Sequence, residues 1–201
     1  MKHKKIDNFV IDEMLSREFD QLKKSLKNAK HPYHSFCFST INLESPSVRT
    51  VILRNFRDRF LFFNSDIRSS KVQDIYNNSK VSALFYDKDR RIQLRIIGKA
   101  NIDYKNDASK KVWENVDLQS RKCYMGPFTP GEEIKNWVPN LPLNYIEMDP
   151  SRQDSESGYE NFCSISIQID SIEILELHYD GHVRFMVEYE KNKKSKYFLA
   201  T

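Results

Sequence analysis

The spacing of apolar residues changes along this chain. Between residues 8 and about 29 it is helical: Leu15, Phe19, Leu22 and Leu26 recur at steps of four, three and four, with Lys and Asp between them. That pattern predicts an amphipathic helix over 8–29, ended by His31-Pro32. Beyond it, stretches 34–42, 47–55, 59–64, 80–87 and 91–103 are rich in Phe, Val, Ile and Tyr and separated by short polar breaks. They predict strands. A short helix is predicted over 70–77, opened by a capping box of Ser70 and Gln73. A second is predicted over 106–118, around Val112, Trp113 and Val116. Residues 123–160 hold five of the seven prolines and three of the five glycines. They read as a long irregular segment with one helical turn near Glu132, too long for an idle loop and expected to be a lid or an intersubunit arm. Closing strands are expected near 162–177, 182–190 and 195–200.

Many strands, few helices and no alternating strand–helix order predict a mainly β protein: an antiparallel barrel with added helices, in one domain over 1–201. The net charge of +4, from 32 basic and 28 acidic residues, permits an anionic ligand without calling for nucleic acid. The cysteines, Cys37, Cys123 and Cys163, are odd in number and widely spaced. That argues against a disulfide framework or a zinc site and for a reducing compartment. No apolar run follows the basic start Met-Lys-His-Lys-Lys, and none approaches membrane-spanning length, so a cytoplasmic protein with no membrane association is expected. The glycines, Gly98, Gly126, Gly131, Gly158 and Gly181, are too scattered for a Gly-rich phosphate loop. Any phosphate must be held by side chains and a helix start.

On a strand over 48–54, Arg49, Val51 and Leu53 share one face while Thr50, Ile52 and Arg54 share the other. Arg49 therefore sits among apolar residues and needs a partner. The readings are an internal carboxylate pair, a place near the strand end where it reaches water, or a bidentate phosphate clamp. Ser69-Ser70-Lys71 opens the 70–77 helix directly after a strand ending Phe63-Asn64-Ser65. Backbone N–H groups at a helix start favour an anion, and Lys71 in the first turn opposes the helix dipole unless a negative charge faces it. Arg68 adds a third cation beside Arg49 and Lys71. On 91–97, Arg91, Gln93, Arg95 and Ile97 form one row, facing solvent or offering the Gln93 amide to a heterocycle edge. His182 and Arg184 point the same way on a late strand. Tyr124 and Trp137 either shield a ligand or pack the irregular segment down. No Ser-His-Asp order, metal-ligand spacing or close carboxylate pair stands out.

Arg-Thr-Val-Ile-Leu-Arg (49–54), then Phe-Asn-Ser-Asp-Ile-Arg-Ser-Ser-Lys (63–71), then Ile-Gln-Leu-Arg-Ile-Ile-Gly-Lys-Ala (92–100) resembles the pyridoxamine 5'-phosphate oxidase-like FMN-binding split barrels. Tyr124-Met-Gly-Pro-Phe-Thr-Pro-Gly131 resembles a segment of the oxidase-related branch. The resemblance implies a homodimer with FMN sites shared at the interface and a small-molecule substrate. It implies that Arg49 and Lys71 hold the phosphate and that Asn64 and Ser65 line the phosphate and ribityl region. Thr50, Val51, Ile52, Leu53 and Arg54 would run along the flavin, Gln93 would meet its pyrimidine edge, and Arg184 would reach it from the late strands. Arg54 and His182 are the substrate-side candidates. The oxidases carry an arginine where this chain has Ser70, with Arg68 as the substitute charge. They carry a tryptophan at Leu175 and an Arg-x-His pair at Asp180-Gly181-His182, and their terminal Arg-Leu-Ala-Pro is Phe-Leu-Ala-Thr here. The FMN half of the site is retained and the vitamin-substrate half altered. The implied function is an FMN-dependent oxidoreductase; the alternatives are an FMN storage or sensing module, or a split barrel that binds haem or a deazaflavin.

Overall fold

The computed structural model describes residues 8–42, 45–190 and 193–201. The basic start of the chain lies outside them. Helix α1 (Asn8–Ser25) is followed by β1 (Ser35–Ile41), β2 (Pro46–Ile52), β3 (Asn55–Arg57) and β4 (Phe60–Asp66). Then come α2 (Ser70–Asn77), β5 (Lys80–Asp87), β6 (Ile92–Asp103), α3 (Asp107–Glu114) and α4 (Leu118–Arg121). After an irregular stretch, α5 (Arg152–Ser155) leads to β7 (Phe162–Glu176), β8 (Val183–Glu190) and β9 (Lys193–Phe198). The strands form one antiparallel sheet in the order β2-β1-β5-β6-β7-β4-β3, with β8 and β9 branching from β7.

Strand β7 makes that branch possible. One of its edges pairs with β6 along most of its length, while the other pairs first with β4 over 162–168 and then with β8 over 171–176. The ladder to β6 slips by one residue, so that Ile97 faces Ser171 and Gly98 faces Ile169. Asp170 is the extra residue of this bulge. Before it, the odd positions Ile165, Ile167 and Ile169 are buried; after it, the even positions Ile172 and Ile174 are. Gly98 sits at the crossing, where a Cβ would lie 2.2 Å from the Gln168 carbonyl oxygen. Backbone cannot yield as a flexible side chain would, so Gly98→Ala should destabilise the fold by about 1–3 kcal/mol, read as a lower denaturation midpoint.

The sheet curls around Phe36, Phe38, Leu61, Phe63, Phe85, Leu94, Ile167 and Phe185, all nearly inaccessible. Helix α1 lays Ile11, Leu15 and Leu22 against this core. It is fastened by a buried carboxylate: Glu18 accepts a two-pronged bond from Arg90 at 2.9 Å on each oxygen, with Tyr33 Oη at 2.8 Å and Arg17 Nε at 2.8 Å. The curl does not close. Strand β2 pairs only with β1 and β3 only with β4, so β2 and β4 approach without a ladder between them.

Several element boundaries differ from the sequence reading. Helix α1 stops at Ser25 rather than near 29, because the Ser25 hydroxyl turns back to the Leu22 carbonyl and single-turn bonds replace the helical ladder. The capping box at Ser70 and Gln73 does not form. Ser69 is the cap residue of α2, and its hydroxyl is spent on the Asp66 carbonyl. The strand expected over 47–55 ends at Ile52, and a separate β3 follows. Helix 106–118 splits into α3 and α4, each with its own cap, Asn106 and Asp117. No helical turn forms at Glu132; the turns of the irregular segment lie at 143–145 and 152–161.

Candidate functional site

The split between β2 and β4 gathers cations and hydroxyls. Arg49 projects from the inward face of β2, as the alternation requires. Its Nη1 donates to Thr40 Oγ1 at 2.7 Å and to the Ser47 carbonyl at 3.0 Å; its Nη2 donates to Ser47 Oγ at 2.6 Å. Asp74, on α2, lies 3.6 Å from Nη2. Of the readings offered for Arg49, the internal carboxylate exists, at the margin of ion-pair distance.

Lys71 comes from the first turn of α2 and turns back across the helix start. Its Nζ donates to Ser65 Oγ at 3.2 Å and Ser69 Oγ at 3.0 Å. Among the described residues no carboxylate lies within ion-pair distance of it. Burial lowers its pKa below the usual lysine range, and the positive charge of Arg49 lowers it further. Arg49 is likewise pushed down by burial, with Asp74 opposing. Among the described residues Lys71 thus has only neutral oxygen at contact distance, while Arg49 also has Asp74 at 3.6 Å. A doubly charged anion fits such a place.

The other candidates fall into three groups. Asn64 is nearby, on the opposite face of β4 from Ser65. Its Oδ1 is buried without a hydrogen-bond partner, the one such side-chain atom found among the described residues. It opens on a cleft of about 860 Å³ whose floor is Phe62, Asn64 and Ser164 and whose roof is α3 and α4; Arg54 and Asp117 stand at its rim. Burial would raise the Asp117 carboxyl, but the Ser120 N–H and hydroxyl and the charge of Arg54 hold it below its ordinary value. A bare acceptor on one face of β4, with the hydroxyl- and cation-lined split at the other, suits a ligand that spans the strand and carries N–H donors as well as a phosphate. The residues present therefore fit FMN.

Arg68 is committed elsewhere. It makes a two-pronged pair with Asp66, 3.0 Å from Nε and 2.7 Å from Nη2, and reaches the Gly126 carbonyl at 3.1 Å. Its charge is spent on holding the irregular segment to the β4–α2 turn. Ser70, the first residue of α2, is exposed.

Gln93, His182 and Arg184 form the third group, and one chain does not bring them to the cations. Gln93 stands on the outward face of β6, and Arg184 on the outward face of β8. Arg184 is bound at 3.1 Å through both Nε and Nη2 to Glu173, which also receives Arg95. His182 is exposed in the β7–β8 turn, where its Nδ1 accepts the His178 N–H. Tyr124 packs edge-on against Trp113 and Phe162, while Trp137 is 84% exposed. Sequence reasoning missed Thr40 and Asp74. The only available signal was a polar residue at an inward position of each amphipathic element.

Residues 16–103 match the family model described as the pyridoxamine 5'-phosphate oxidase FMN-binding domain. That stretch contains Arg49, Asn64, Lys71 and Gln93. The fold agrees: a pyridoxamine 5'-phosphate oxidase-related, FMN-binding protein from Nostoc punctiforme superposes with a TM-score of 0.76 over 92% of this chain and 96% of its own, at 19% identity. The chain thus has the split-barrel fold, and its residues 16–103 are similar to that FMN-binding domain. PhzG from Burkholderia lata, solved with tetrahydrophenazine-1-carboxylic acid, shares this split-barrel fold at a TM-score of 0.67 and 14% identity, over 94% of this chain and 91% of its own. Among curated relatives, a pyridoxine/pyridoxamine 5'-phosphate oxidase of Psychrobacter cryohalolentis is 36% identical over 85 residues, 41% of this chain. An Arabidopsis thaliana protein of that kind, numbered 2, is 28% identical over 149 residues, 69% of this chain. The chain spans 39% of the length of the Psychrobacter oxidase and 71% of the Arabidopsis one. No helix among the described residues is long and apolar enough to cross a membrane.

Proposed function

We propose that this protein binds FMN at the split between β2 and β4, as a homodimer, and serves as an FMN-dependent oxidoreductase acting on a small molecule other than pyridoxamine phosphate. The observation that carries the reading is Lys71: a half-buried ammonium near Arg49 whose hydrogen-bond partners among the described residues are hydroxyl oxygens.

Arg49 and Lys71 would hold the phosphate, with Ser65 and Ser69 fixing the ammonium. The edge of β2 away from β1, at Thr50 to Ile52, would offer backbone groups to a ring lying across the split, and Asn64 would offer its bare Oδ1 to a ring or ribityl donor. Bound FMN supplies two-electron redox chemistry, accepting a hydride from a substrate C–H and returning the electrons to an acceptor such as oxygen. Such a step asks little acid or base of the protein, in keeping with a site whose charged groups bind and orient. The 860 Å³ cleft beside Arg54 is where the substrate would sit.

The homodimer is argued from the outer sheet face. Val48, Leu84, Tyr86 and Ile97 are exposed there, on neighbouring strands with inner faces already packed. A face of this kind is buried by association. Gln93 and Arg184 stand on the same side of their strands and would meet flavin from a second copy.

The test is a spectrum and a mass. Purified protein should be yellow, with flavin bands that bleach on photoreduction and return in air, and light scattering should give twice the 23.9 kDa chain mass. A Soret band, or a colourless protein that takes up no FMN, would overturn the cofactor assignment. A flavin-loaded monomer would overturn the shared site. Failure of every small reductant to bleach the flavin would leave a storage or sensing role.

A further inference from the structure

Behind the cationic cluster stands a carboxylate that a pure phosphate clamp does not need. Asp74 is 7% exposed and Thr40 wholly buried. Thr40 Oγ1 donates to Asp74 Oδ2 at 2.5 Å while accepting from Arg49 Nη1 at 2.7 Å. Three elements, β1, β2 and α2, thus contribute one side chain each to a chain of contacts ending on the clamp.

A carboxylate here can orient Arg49 or counter its charge, and the geometry separates the two. Without Asp74, the guanidinium would keep Thr40 Oγ1, Ser47 Oγ and the Ser47 carbonyl, three contacts at 3.0 Å or less. Orientation is therefore over-determined. Charge is not: the other nearby carboxylate, Asp66, is already paired with Arg68. Asp74 is the carboxylate that acts on both Arg49 and Lys71, and it would repel an incoming phosphate dianion through a poorly screened interior.

We infer that Asp74 is a specificity-determining counter-charge: it limits how tightly the Arg49–Lys71 site holds a phosphate ester and keeps that ligand exchangeable. The inference rests on the reading of this cluster as the phosphate site of FMN. Asp74→Asn is the decisive change, since the amide oxygen still accepts from Thr40 and only the charge is lost. Asp74→Ser removes the charge with a smaller side chain, should the amide disturb the packing.

Dissociation constants and release rates for FMN are measured on the full-length wild type and both variants, with riboflavin as the phosphate-free control. In parallel, inorganic phosphate is titrated into flavin-stripped protein and followed by its melting temperature. The charge-removing variants should hold FMN about tenfold more tightly, release it correspondingly more slowly, and be stabilised by less phosphate, with riboflavin affinity unchanged. Unchanged or weakened FMN and phosphate binding in the variants would overturn the inference. Equal tightening toward riboflavin would also overturn it, because the effect would then not be one of charge on phosphate. Should the wild type ignore FMN while phosphate binding still tightens in the variants, the cofactor reading would fail and the role of Asp74 would stand.

Discussion

Replacing Arg49 and Lys71 together with alanine should lower FMN affinity by two to four orders of magnitude. Each is placed to make a charge-assisted contact with the phosphate, and such contacts are worth about 1.5–3 kcal/mol apiece. The single variants should each lose a smaller share, and not independently, because the charge of Arg49 lowers the pKa of Lys71. The Lys71→Ala protein should also lose less to alkaline pH than the wild type. Burial and Arg49 have already lowered the ammonium's pKa, and a bound dianion must hold that proton in place. Wild-type affinity therefore falls as pH rises through the lowered value. Equilibrium titration by quenching of flavin fluorescence reads all of this. A double variant within tenfold of wild type would remove the phosphate from this split.

The second large effect concerns folding. Glu18→Ala should cost about 2–4 kcal/mol, because it leaves a partly buried guanidinium and a buried phenol facing a hole. Arg90 would keep only Asp87, and Tyr33, wholly buried, would lose its partner. Urea denaturation should show the midpoint falling with little change in slope. A loss under about 1 kcal/mol would mean that α1 is held by its apolar face alone. Flavin affinity of the surviving folded fraction should change little, since Glu18 touches none of the cluster residues.

Local patterning was legible where neighbours in sequence decide the outcome. Helix 70–77 and strand 80–87 begin and end where their residues predicted, because a period of two or of 3.6 needs only the chain itself to be read. The alternation on β2 likewise put Arg49 on the inward face, and the structure brings it toward Lys71 across the split. What escaped depended on partners distant in sequence. Asp74 looks like any polar residue of a surface helix until β1 delivers Thr40 to it. Glu18 reads as part of the wet face of α1, yet a β-turn more than seventy residues later supplies Arg90 and buries it. The offered roles of Ser70 and Arg68 were ambiguous for the same reason. Whether a cation near a helix start is free or already paired is settled by Asp66 and the Gly126 loop, not by its spacing from Lys71.

The bulge at Asp170 gives β7 two reading frames. Upstream of that residue the core isoleucines stand at odd numbers; downstream they stand at even ones. Removing that single residue would shift the downstream frame, turning Ile172 and Ile174 to water and driving Glu173, with the two arginines it binds, toward oil. The cation-lined split and the outer face therefore share a spine whose code is punctuated at one place, and evolution can remodel either half by substitution far more readily than by a change of length.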